Sequence, residues 1–399
     1  MLDDSSKSTA TGKQTPKPTS EPRSTLAADQ NWITFAYPKR EHAALQDELE
    51  QAVLNTLRSG SYILGPEVDL FEHSLRIFTQ SPCVVAVSSG TDALVCTLIG
   101  LGIGKNQEVI VPAFGFVAAA EAVVRVGAVP VFIDIEPDTL GPDPKEAAAA
   151  CSSRTSAIIV MHLFGQAVDV DTITEAVTHP AAHTHVIEDA AQAIGTLFRG
   201  RHVGTFGTAG TFSFFPAKSL GAAGDAGAVI TSDPQLANRI RRARVHGSST
   251  TYEWNSTGGN YRMDALQASL LTVKLHSLEQ RLCRRRSMGN ILANLLASHN
   301  VKVLTGAKAC VPSYAPFVVR TTQRNRILGM LRSRFVDARV HYPNTLPYSP
   351  AFHSYDQRSG TYPNAVQATE ELLSLPCSPE LHDDEFNRLL EIIDEVFGG

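Results

Sequence analysis

The sequence predicts an α/β protein with a mostly parallel sheet that carries helices on both faces. Short β-rich runs alternate with helical stretches over much of the chain, a rhythm typical of parallel strands joined by helices. The 399 residues are 43% hydrophobic, so the chain is long and apolar enough to bury sizeable cores. Beyond Asp264 the strands give way to helices, which predicts a second, smaller α+β region.

Three segments are predicted in chain order. Residues 1–31 are rich in Ser, Thr, Lys and Pro and have no apolar periodicity, so we expect a disordered tail there. Residues 32–263 are expected to form a large domain that holds the sheet. Residues 264–399 are expected to form a small C-terminal domain.

The elements of the large domain follow from its apolar runs. Strands are predicted where β-branched and other apolar residues cluster, at Glu108–Val111, Val129–Ile133, Ala157–Met161, Val186–Glu188, Thr211–Phe215 and Ala226–Thr231. Helices are predicted between them, at Asp92–Leu101, Phe116–Val126, Lys145–Cys151 and Val170–Val177. In open sheets of this kind, ligands bind at the carboxyl ends of the strands, so the loops there are the candidate functional residues.

The small domain is predicted from apolar residues at helical spacing. One stripe, which Asp264 could cap upstream, consists of Leu271, Leu275, Leu278 and Leu282. A second stripe consists of Phe386, Leu390, Ile393 and Phe397. Two strands are predicted between these helices, at Ala315–Arg320 and Ala338–Tyr342.

Charge and composition exclude several classes of protein. Thirty-five Lys and Arg residues against 40 Asp and Glu residues give a net charge of −5, which argues against a nucleic-acid or anionic-membrane surface. No apolar run approaches the roughly 20 residues that span a bilayer. The first residues match neither a signal peptide nor a transit peptide, so a cytoplasmic location is expected. No Cys or His cluster has ligand spacing, and no metal is expected.

The loop Ser88–Leu94 has the composition of an anion site. Gly90, Thr91 and Asp92 lead directly into a predicted helix. The free amides of a helix N-terminus, together with a Thr hydroxyl, suit a phosphate group. The same residues are also typical of ordinary helix capping, which is the simpler interpretation when the loop is considered alone.

Two carboxylates follow the apolar run Val186–Ile187. Glu188 and Asp189 close a predicted strand, where buried carboxylates are costly unless they contact a cation. The alternative interpretation is a surface turn that begins a helix.

Lys218 follows another apolar strand in a region that is otherwise short of charge. It is either a surface group or a desolvated amine with a lowered pKa that can form a Schiff base. The loop of small residues that follows, Ser219–Gly227, favours the second interpretation because it permits close approach to a ligand.

Together these residue types match the requirements of pyridoxal 5′-phosphate (PLP). The cofactor needs a lysine, an acid beside its ring nitrogen, donors for its phosphate and a wall for its ring. The strings that carry this set resemble those of the DegT/StrS-type sugar aminotransferases, which have the aspartate-aminotransferase-like fold. Those strings occur in order as SYILGPEVDLFE, SSGTDAL, EVIVPAFGFVAAAEAV, GAVPVFIDIEPDT, HLFGQAVDVD, VIEDAAQAIG, TFSFFPAKSLGAAGDAGAVIT, GGNYRMDALQAS and HYPNTLPYSPAF. The resemblance runs from about Ile33 to Val396.

The resemblance implies a role for each matching position around the cofactor ring. Lys218 matches the lysine that holds PLP and later moves a proton. Asp189 matches the carboxylate that keeps the pyridine nitrogen protonated, and Gln192 matches the side chain that reaches the phenolic oxygen. Phe116 matches the aromatic residue that stacks on the ring, although Gly115 beside it replaces the family's usual Thr.

The resemblance also implies the phosphate contacts. Thr91, the amide of Asp92 and Ser213 match phosphate-binding positions, with Gly90 opening the helix. Asn260 matches a residue that reaches the phosphate across a dimer interface, so a homodimer with shared sites is expected.

Three side chains are candidates for substrate contacts, namely Glu188, His341 and Tyr342. The last two begin the string HYPNTLPYSPAF, which lies where relatives line the sugar pocket. Alternatively, Glu188 supports its own loop and Tyr342 packs against prolines. His162 either faces the site or is a hydrogen-bonded core histidine.

The resemblance therefore implies a PLP-dependent aminotransferase (transaminase) of amino-sugar biosynthesis. Its expected acceptor is a nucleotide-linked keto-sugar such as a dTDP-3-keto-6-deoxyhexose, and its expected donor is glutamate or glutamine. Other acceptors in the family are 4-keto-sugars, keto-inositols and an aminoshikimate-type precursor. A sugar dehydratase of the same fold would carry His in place of Lys218. The alternative from a different class is a non-catalytic regulator that binds PLP or a sugar nucleotide.

Overall fold

The computed structural model describes residues 32–178, 184–250, 253–355 and 361–398. The tail predicted over 1–31 lies outside the described residues. Ile33–Gly399 form one compact unit, and the domain boundary at residue 264 stays a prediction. Within the described ranges, no helix is both long enough and apolar enough to cross a membrane.

The described residues form fifteen strands and thirteen α-helices. The strands are β1 (Cys83–Val87), β2 (Glu108–Pro112), β3 (Val129–Ile133), β4 (Thr155–Met161), β5 (His185–Asp189), β6 (Leu197–Phe198), β7 (Arg201–His202), β8 (Ala209–Ser213), β9 (Gly227–Thr231), β10 (Ser248–Thr250), β11 (Glu253–Trp254), β12 (Lys302–Val303), β13 (Cys310–Val311), β14 (Phe317–Arg320) and β15 (Leu372–Leu375). The helices are α1 (Pro38–Ala44), α2 (Gln46–Ser59), α3 (Pro66–Thr79), α4 (Gly90–Gly100), α5 (Ala118–Arg125), α6 (Pro144–Ala150), α7 (Val170–Ala176), α8 (Pro234–Ala243), α9 (Ala265–His276), α10 (Leu278–Ser298), α11 (Arg324–Ser333), α12 (Pro363–Glu371) and α13 (Asp383–Gly398).

A seven-stranded sheet with the order β1-β9-β8-β5-β4-β2-β3 forms the centre of the molecule. Strands β8, β5, β4, β2 and β3 are parallel to one another in that order, whereas β9 runs antiparallel to both β1 and β8. The prediction of a mostly parallel sheet is therefore confirmed. All five of the parallel strands, and β1 as well, end at the same edge of the sheet.

Helices cover both faces of this sheet because its central strands are apolar on both sides. Ile159 of β4 packs with Val123 of α5 on one face. Its neighbour Ile158 packs with Val170 and Ile173 of α7 on the other face. This alternation along a single strand produces two separate cores, which is the layered α/β arrangement that the sequence predicts.

Asp and Ser residues begin several of these helices. The side chain of Asp143 accepts the amides of Lys145 and Glu146 at α6, and that of Asp233 accepts the amide of Gln235 at α8. Helix α5 begins at Ala118 rather than at the predicted Phe116. Phe116 is therefore left in the loop that follows β2.

Beyond α9, a small antiparallel sheet forms with the order β12-β14-β15. The predicted strand Ala315–Arg320 is observed as β14. The predicted strand Ala338–Tyr342 is wrong, because only Arg339 pairs there, in a single bridge to Ser374. Pro343 follows closely and has no amide to donate, so the pairing cannot continue.

Asp134 connects the large sheet to the C-terminal part of the chain. It follows β3, is buried, and accepts the backbone amides of Asn364 and Ala365 at 2.9 Å each. These amides belong to the first turn of α12 and have no acceptor within the helix, so Asp134 caps α12 from a distant segment.

Candidate active site

The edge where the parallel strands end collects most of the candidate residues. Ser88 follows β1, Phe116 lies in the loop after β2, Asp189 ends β5 and Ser213 ends β8. These positions are far apart in the sequence and are brought together only by the strand order of the sheet. The edge therefore has the composition of a binding site built from separate loops.

The N-terminus of α4 forms a cradle against β8. The Ser89 hydroxyl accepts the Asp92 amide at 3.0 Å, and the amides of Gly90 and Thr91 precede the first hydrogen bond of the helix. A Cβ on Gly90 would lie 2.7 Å from the Cβ of Ser213, so only glycine permits this approach. The cradle thus presents two amides and the hydroxyls of Thr91 and Ser213.

The amide of Asp92, however, is not available in this arrangement because Ser89 already accepts it. The Asp92 carboxylate accepts from the Ser88 hydroxyl at 2.7 Å and lies 3.4 Å from Arg125. Asp92 therefore stabilises the start of α4, and this placement argues against the phosphate contact that the sequence predicts for its amide.

Asp189 is a buried carboxyl with few partners. Asp189 is 8% exposed, and its Oδ1 accepts a hydrogen bond from the Ala191 amide at 3.0 Å. Burial raises the pKa of Asp189, while the positive charge of Lys218 opposes that shift. A cation placed beside Asp189 would hold it in its charged form.

Lys218 lies across from Asp189 after a tight turn. Its amide donates to the Phe215 carbonyl at 2.8 Å, and the chain then doubles back so that Ala222 donates to Phe214. Burial lowers the pKa of Lys218, and the Asp189 carboxylate partly offsets this effect. A larger fraction of the amine is therefore neutral and nucleophilic than for an exposed lysine.

Lys218 borders a cavity of about 180 Å³, which is also lined by Gln192, His341 and Tyr342. Gln192 accepts the Phe164 amide at 2.8 Å and donates to the Tyr342 hydroxyl at 2.8 Å. The second N–H of Gln192 remains for another acceptor. The structure thus brings the predicted ring contact Gln192 and the predicted substrate residues His341 and Tyr342 to one cavity with Lys218.

Aromatic rings form one wall of the site. The ring of Tyr342 lies 6.0 Å from those of Phe114 and Phe116 and 6.4 Å from that of Phe164, with which it is stacked. Burial raises the pKa of Tyr342, so its hydroxyl is a neutral donor. Phe116 is 48% exposed, and its free face is available to a planar ligand.

Gly115, which departs from the family's usual Thr, is explained by Met161. A Cβ at this position would lie 2.4 Å from Met161 Cε and 2.6 Å from its Sδ. The Met161 side chain occupies the space that a larger residue 115 would need, so the two residues must be considered together.

Glu188 lies on the opposite side of β5 from Asp189 and does not face the cavity. It is 0% exposed and accepts the amides of Gly204, Phe206 and Gly207 at 2.6–2.7 Å. It also accepts from His162 Nε2 at 2.8 Å. This placement argues against the predicted substrate contact, because every oxygen already holds the chain's own donors.

The sequence left two interpretations of His162 open, and the structure shows the second: His162 is a hydrogen-bonded core histidine. Its Nδ1 accepts the Val168 amide at 3.1 Å, so the proton sits on Nε2 and is donated to Glu188. Burial alone would raise the pKa of Glu188, but the hydrogen bond and electrostatic attraction from His162, together with the amides of Gly204 and Gly207, lower it. The pair stabilises β4 and β5 beneath the site.

Asn260 is exposed and is not among the residues that line the Lys218 cavity. It forms a backbone bridge with Val245.

Sequence reasoning missed one residue that lines the cavity, Arg285 of α10. The signal was present, since Arg285 falls on the apolar stripe of α10 between Leu282 and Leu292, where a charge is unexpected.

The residues present fit PLP. The cradle of α4 offers donors for a phosphate, Asp189 is a buried carboxyl that can contact a protonated ring nitrogen, and Lys218 is a desolvated amine. Phe116 and Tyr342 provide an aromatic surface. Each requirement of the cofactor is met by a side chain or amide that the rest of the protein leaves available.

Comparison with known proteins agrees with this geometry. A model of the DegT/DnrJ/EryC1/StrS aminotransferase family matches residues 43–394. The dTDP-3-amino-3,4,6-trideoxy-alpha-D-glucose transaminase of Streptomyces venezuelae is 35% identical over 364 residues, which are 91% of this chain and 96% of that protein. A pleiotropic regulatory protein of Geobacillus stearothermophilus is 36% identical over 90% of this chain and 96% of its own.

Solved structures are similar over nearly the same range. DesV of S. venezuelae has a TM-score of 0.88 and 35% identity, and the match covers 92% of this chain and 99% of DesV. The PLP form of the sugar aminotransferase Spr1654 of Streptococcus pneumoniae has a TM-score of 0.81 and 26% identity, and the match covers 88% and 96% of the two chains.

Proposed function

Because the chain belongs to the DegT/DnrJ/EryC1/StrS aminotransferase family and is a PLP-dependent aminotransferase, we propose that it aminates a nucleotide-linked keto-sugar, with glutamate or glutamine as donor. The acceptor we propose is a dTDP-3-keto-6-deoxyhexose. The observation that carries the proposal is the electrostatic interaction of the desolvated Lys218 amine with the buried Asp189 carboxyl, together with the anion cradle of α4.

Each residue has a defined task in this proposal. The cofactor, when bound, supplies the electron sink that stabilises negative charge on the reacting carbon. Asp189 holds a proton on the ring nitrogen, and the cradle of Gly90, Thr91 and Ser213 anchors the phosphate. Lys218 would accept the proton that leaves the donor's α-carbon and return one to the sugar carbon, because burial lowers the pKa of its amine and so raises the fraction of it that is neutral.

Support for the acceptor comes from the relatives and from the cavity. The S. venezuelae and Aneurinibacillus thermoaerophilus relatives are named as transaminases of dTDP-3-amino sugars, and one from Pseudomonas aeruginosa as an aminotransferase of a UDP-3-oxo-glucuronate. His341 and Tyr342 border the cavity, where they would contact the sugar. All of these acceptors have a ketone on a sugar that is linked to a nucleotide.

We also propose a homodimer whose two sites are shared. Phe116 and Phe215, at the mouth of the site, are 48% and 53% exposed. Further exposed large apolar side chains are Leu54, Leu57, Tyr62, Ile63 and Trp254. A second copy of the chain would cover these side chains, and Asn260 would then reach the phosphate of the partner's cofactor.

The proposal is tested with enzyme charged in the pyridoxamine form and mixed with a panel of keto-sugar nucleotides. The pyridoxamine spectrum is expected to disappear fastest with a dTDP-3-keto-6-deoxyhexose. A 4-keto-sugar or a keto-inositol that reacts faster would replace the proposed acceptor. The same panel without a nucleotide shows whether the nucleotide is required.

A second candidate function is a regulator that binds PLP or a sugar nucleotide without turnover. The similarity to a protein named as a pleiotropic regulator favours it. A colourless purified protein that binds sugar nucleotides but exchanges no amine would support this candidate. A yellow protein that reacts with glutamate would exclude it.

A further inference from the structure

Arg285 is a buried guanidinium without an acidic partner. It is 8% exposed and lies on the apolar stripe of α10. Its Nη1 donates to the Ser219 hydroxyl at 2.5 Å, and its buried Nε has no hydrogen-bond partner. Among the described residues no carboxylate lies within salt-bridge distance of it, since the nearby Glu41 and Glu380 are paired with Arg281 and act on Arg285 only from farther away. Arginine is rarely buried in this way unless it is paired, so we expect an anion to bind to this guanidinium.

The neighbouring arginines differ from Arg285 because each of them already pairs with a carboxylate. Arg339, which lines the same cavity, donates from Nε and Nη2 to the two carboxylate oxygens of Asp337. Arg284, the preceding residue on α10, donates to the carbonyls of Pro379 and Leu381 and pairs with Asp383. Of the described arginines on the cavity wall, Arg285 alone lacks a carboxylate.

Arg285 lies on the wall of the cavity that contains Lys218. Ser219, the residue it contacts, directly follows Lys218 in the chain. An anion bound to the guanidinium is therefore held beside the residue that carries the reacting amine. Burial lowers the pKa of Arg285, and an anion in contact would reverse that effect.

We propose that Arg285 binds a carboxylate of the amino-acid donor. The proposal rests on the proposed function, in which glutamate or glutamine must place a carboxylate close to Lys218. The planar fork of arginine suits the two oxygens of a carboxylate. Lys218 lines the same cavity, so a carboxylate bound by Arg285 lies close to the reacting amine, as an amino-acid donor requires.

The test measures binding of glutarate, a dicarboxylate without an amine, to the PLP-loaded enzyme by calorimetry. Arg285→Gln is expected to weaken glutarate binding at least tenfold, because it removes a charge-assisted hydrogen bond in a buried site. Arg284→Gln, on the same helix but outside the cavity, is expected to change it less than twofold. Unchanged glutarate affinity in Arg285→Gln would overturn the proposal.

The two half-reactions separate this role from its rivals. Arg285→Gln is expected to raise the apparent KM for glutamate at least tenfold and to alter the keto-sugar half-reaction less than threefold. Equal losses in both would indicate a diphosphate contact and overturn the proposal. Ser219→Ala keeps the guanidinium, so a Ser219→Ala enzyme as impaired as Arg285→Gln would show that Arg285 acts only by positioning the Lys218 loop, which also overturns it.

Two controls keep the result interpretable. Arg285→Lys retains the charge and is expected to bind glutarate with an affinity between those of the wild type and Arg285→Gln, even if the glutamine variant is poorly folded. A lysine variant as weak as a folded glutamine variant would contradict the role of the charge. Wild-type enzyme that binds glutarate through Arg285 but takes no amine from glutamate or glutamine would refute the proposed function instead.

Discussion

At the scale of single residues, burial sets the protonation of the two groups that define the site. The carboxyl of Asp189 loses water and its pKa rises, whereas the amine of Lys218 loses water and its pKa falls. The attraction between them opposes both shifts. The two groups therefore interact electrostatically, and a change in the charge of either one shifts the pKa of the other.

This coupling predicts the effect of Asp189→Asn on Lys218 in the cofactor-free enzyme. Removing the carboxylate takes away the interaction that raises the pKa of Lys218, so the pKa falls further below its usual value. Acetylation of Lys218, followed by mass spectrometry as a function of pH, should begin at lower pH in the variant. A midpoint that is unchanged or moves to higher pH would show that the two groups do not interact.

Single residues also show where sequence reasoning succeeds and fails. Lys218 and Asp189 are predictable, because their residue types are rare after apolar strands and match known motifs in order. The role of Glu188 is harder to predict. Two adjacent carboxylates at the end of a strand point to opposite faces of the sheet, and the sequence does not state which face holds the cofactor. The amides of Gly204 and Gly207 donate hydrogen bonds to Glu188, and only folding brings their loop to this carboxylate.

At the scale of elements, the predictable strands are those buried on both faces. β2, β4 and β9 are continuous apolar runs with polar or glycine residues at their ends, so their bounds are close to the predicted ones. Ala338–Tyr342 instead alternates apolar and polar residues and lies beside the edge strand β15, where one bridge and a following proline decide the outcome. Edge pairing depends on a distant partner, which local patterns do not report.

The remote cap of α12 gives a prediction at this scale. Asp134→Ala leaves the amides of Asn364 and Ala365 without an acceptor, and should lower the free energy of unfolding by about 1–2 kcal/mol. Urea denaturation of the apoenzyme measures the loss. Asp143→Ala, which removes an exposed cap of α6, is the matched control and should cost about 1 kcal/mol or less. An Asp134→Ala loss no larger than the control would contradict the role of this buried cap.

At the scale of the whole molecule, large apolar side chains remain exposed at the mouth of the site and in the β10–β11 hairpin. Phe116 and Phe215 at the mouth, and Trp254 in the β10–β11 hairpin, are all more than 40% exposed. The net charge of −5 does not oppose self-association strongly. A second copy of the chain is the partner we propose for this surface.

Mixing two inactive variants tests the shared sites. Lys218→Ala chains lack the amine and Asn260→Ala chains lack the proposed phosphate contact. Half of the sites in a mixed dimer then contain neither change, so subunit exchange should restore part of the activity. No recovery after demonstrated exchange, or a fully active monomer, would contradict sharing of the sites.

The most direct test of the whole account follows one nitrogen atom. PLP-loaded enzyme is treated with ¹⁵N-labelled glutamate, freed of excess amino acid, and mixed with a dTDP-3-keto-6-deoxyhexose. Mass spectrometry should find the label in a dTDP-amino-sugar, in an amount that matches the enzyme sites, and none when Lys218→Ala replaces the wild type. Label that stays on the wild-type enzyme, or that reaches the sugar equally in Lys218→Ala, would contradict amination through this site.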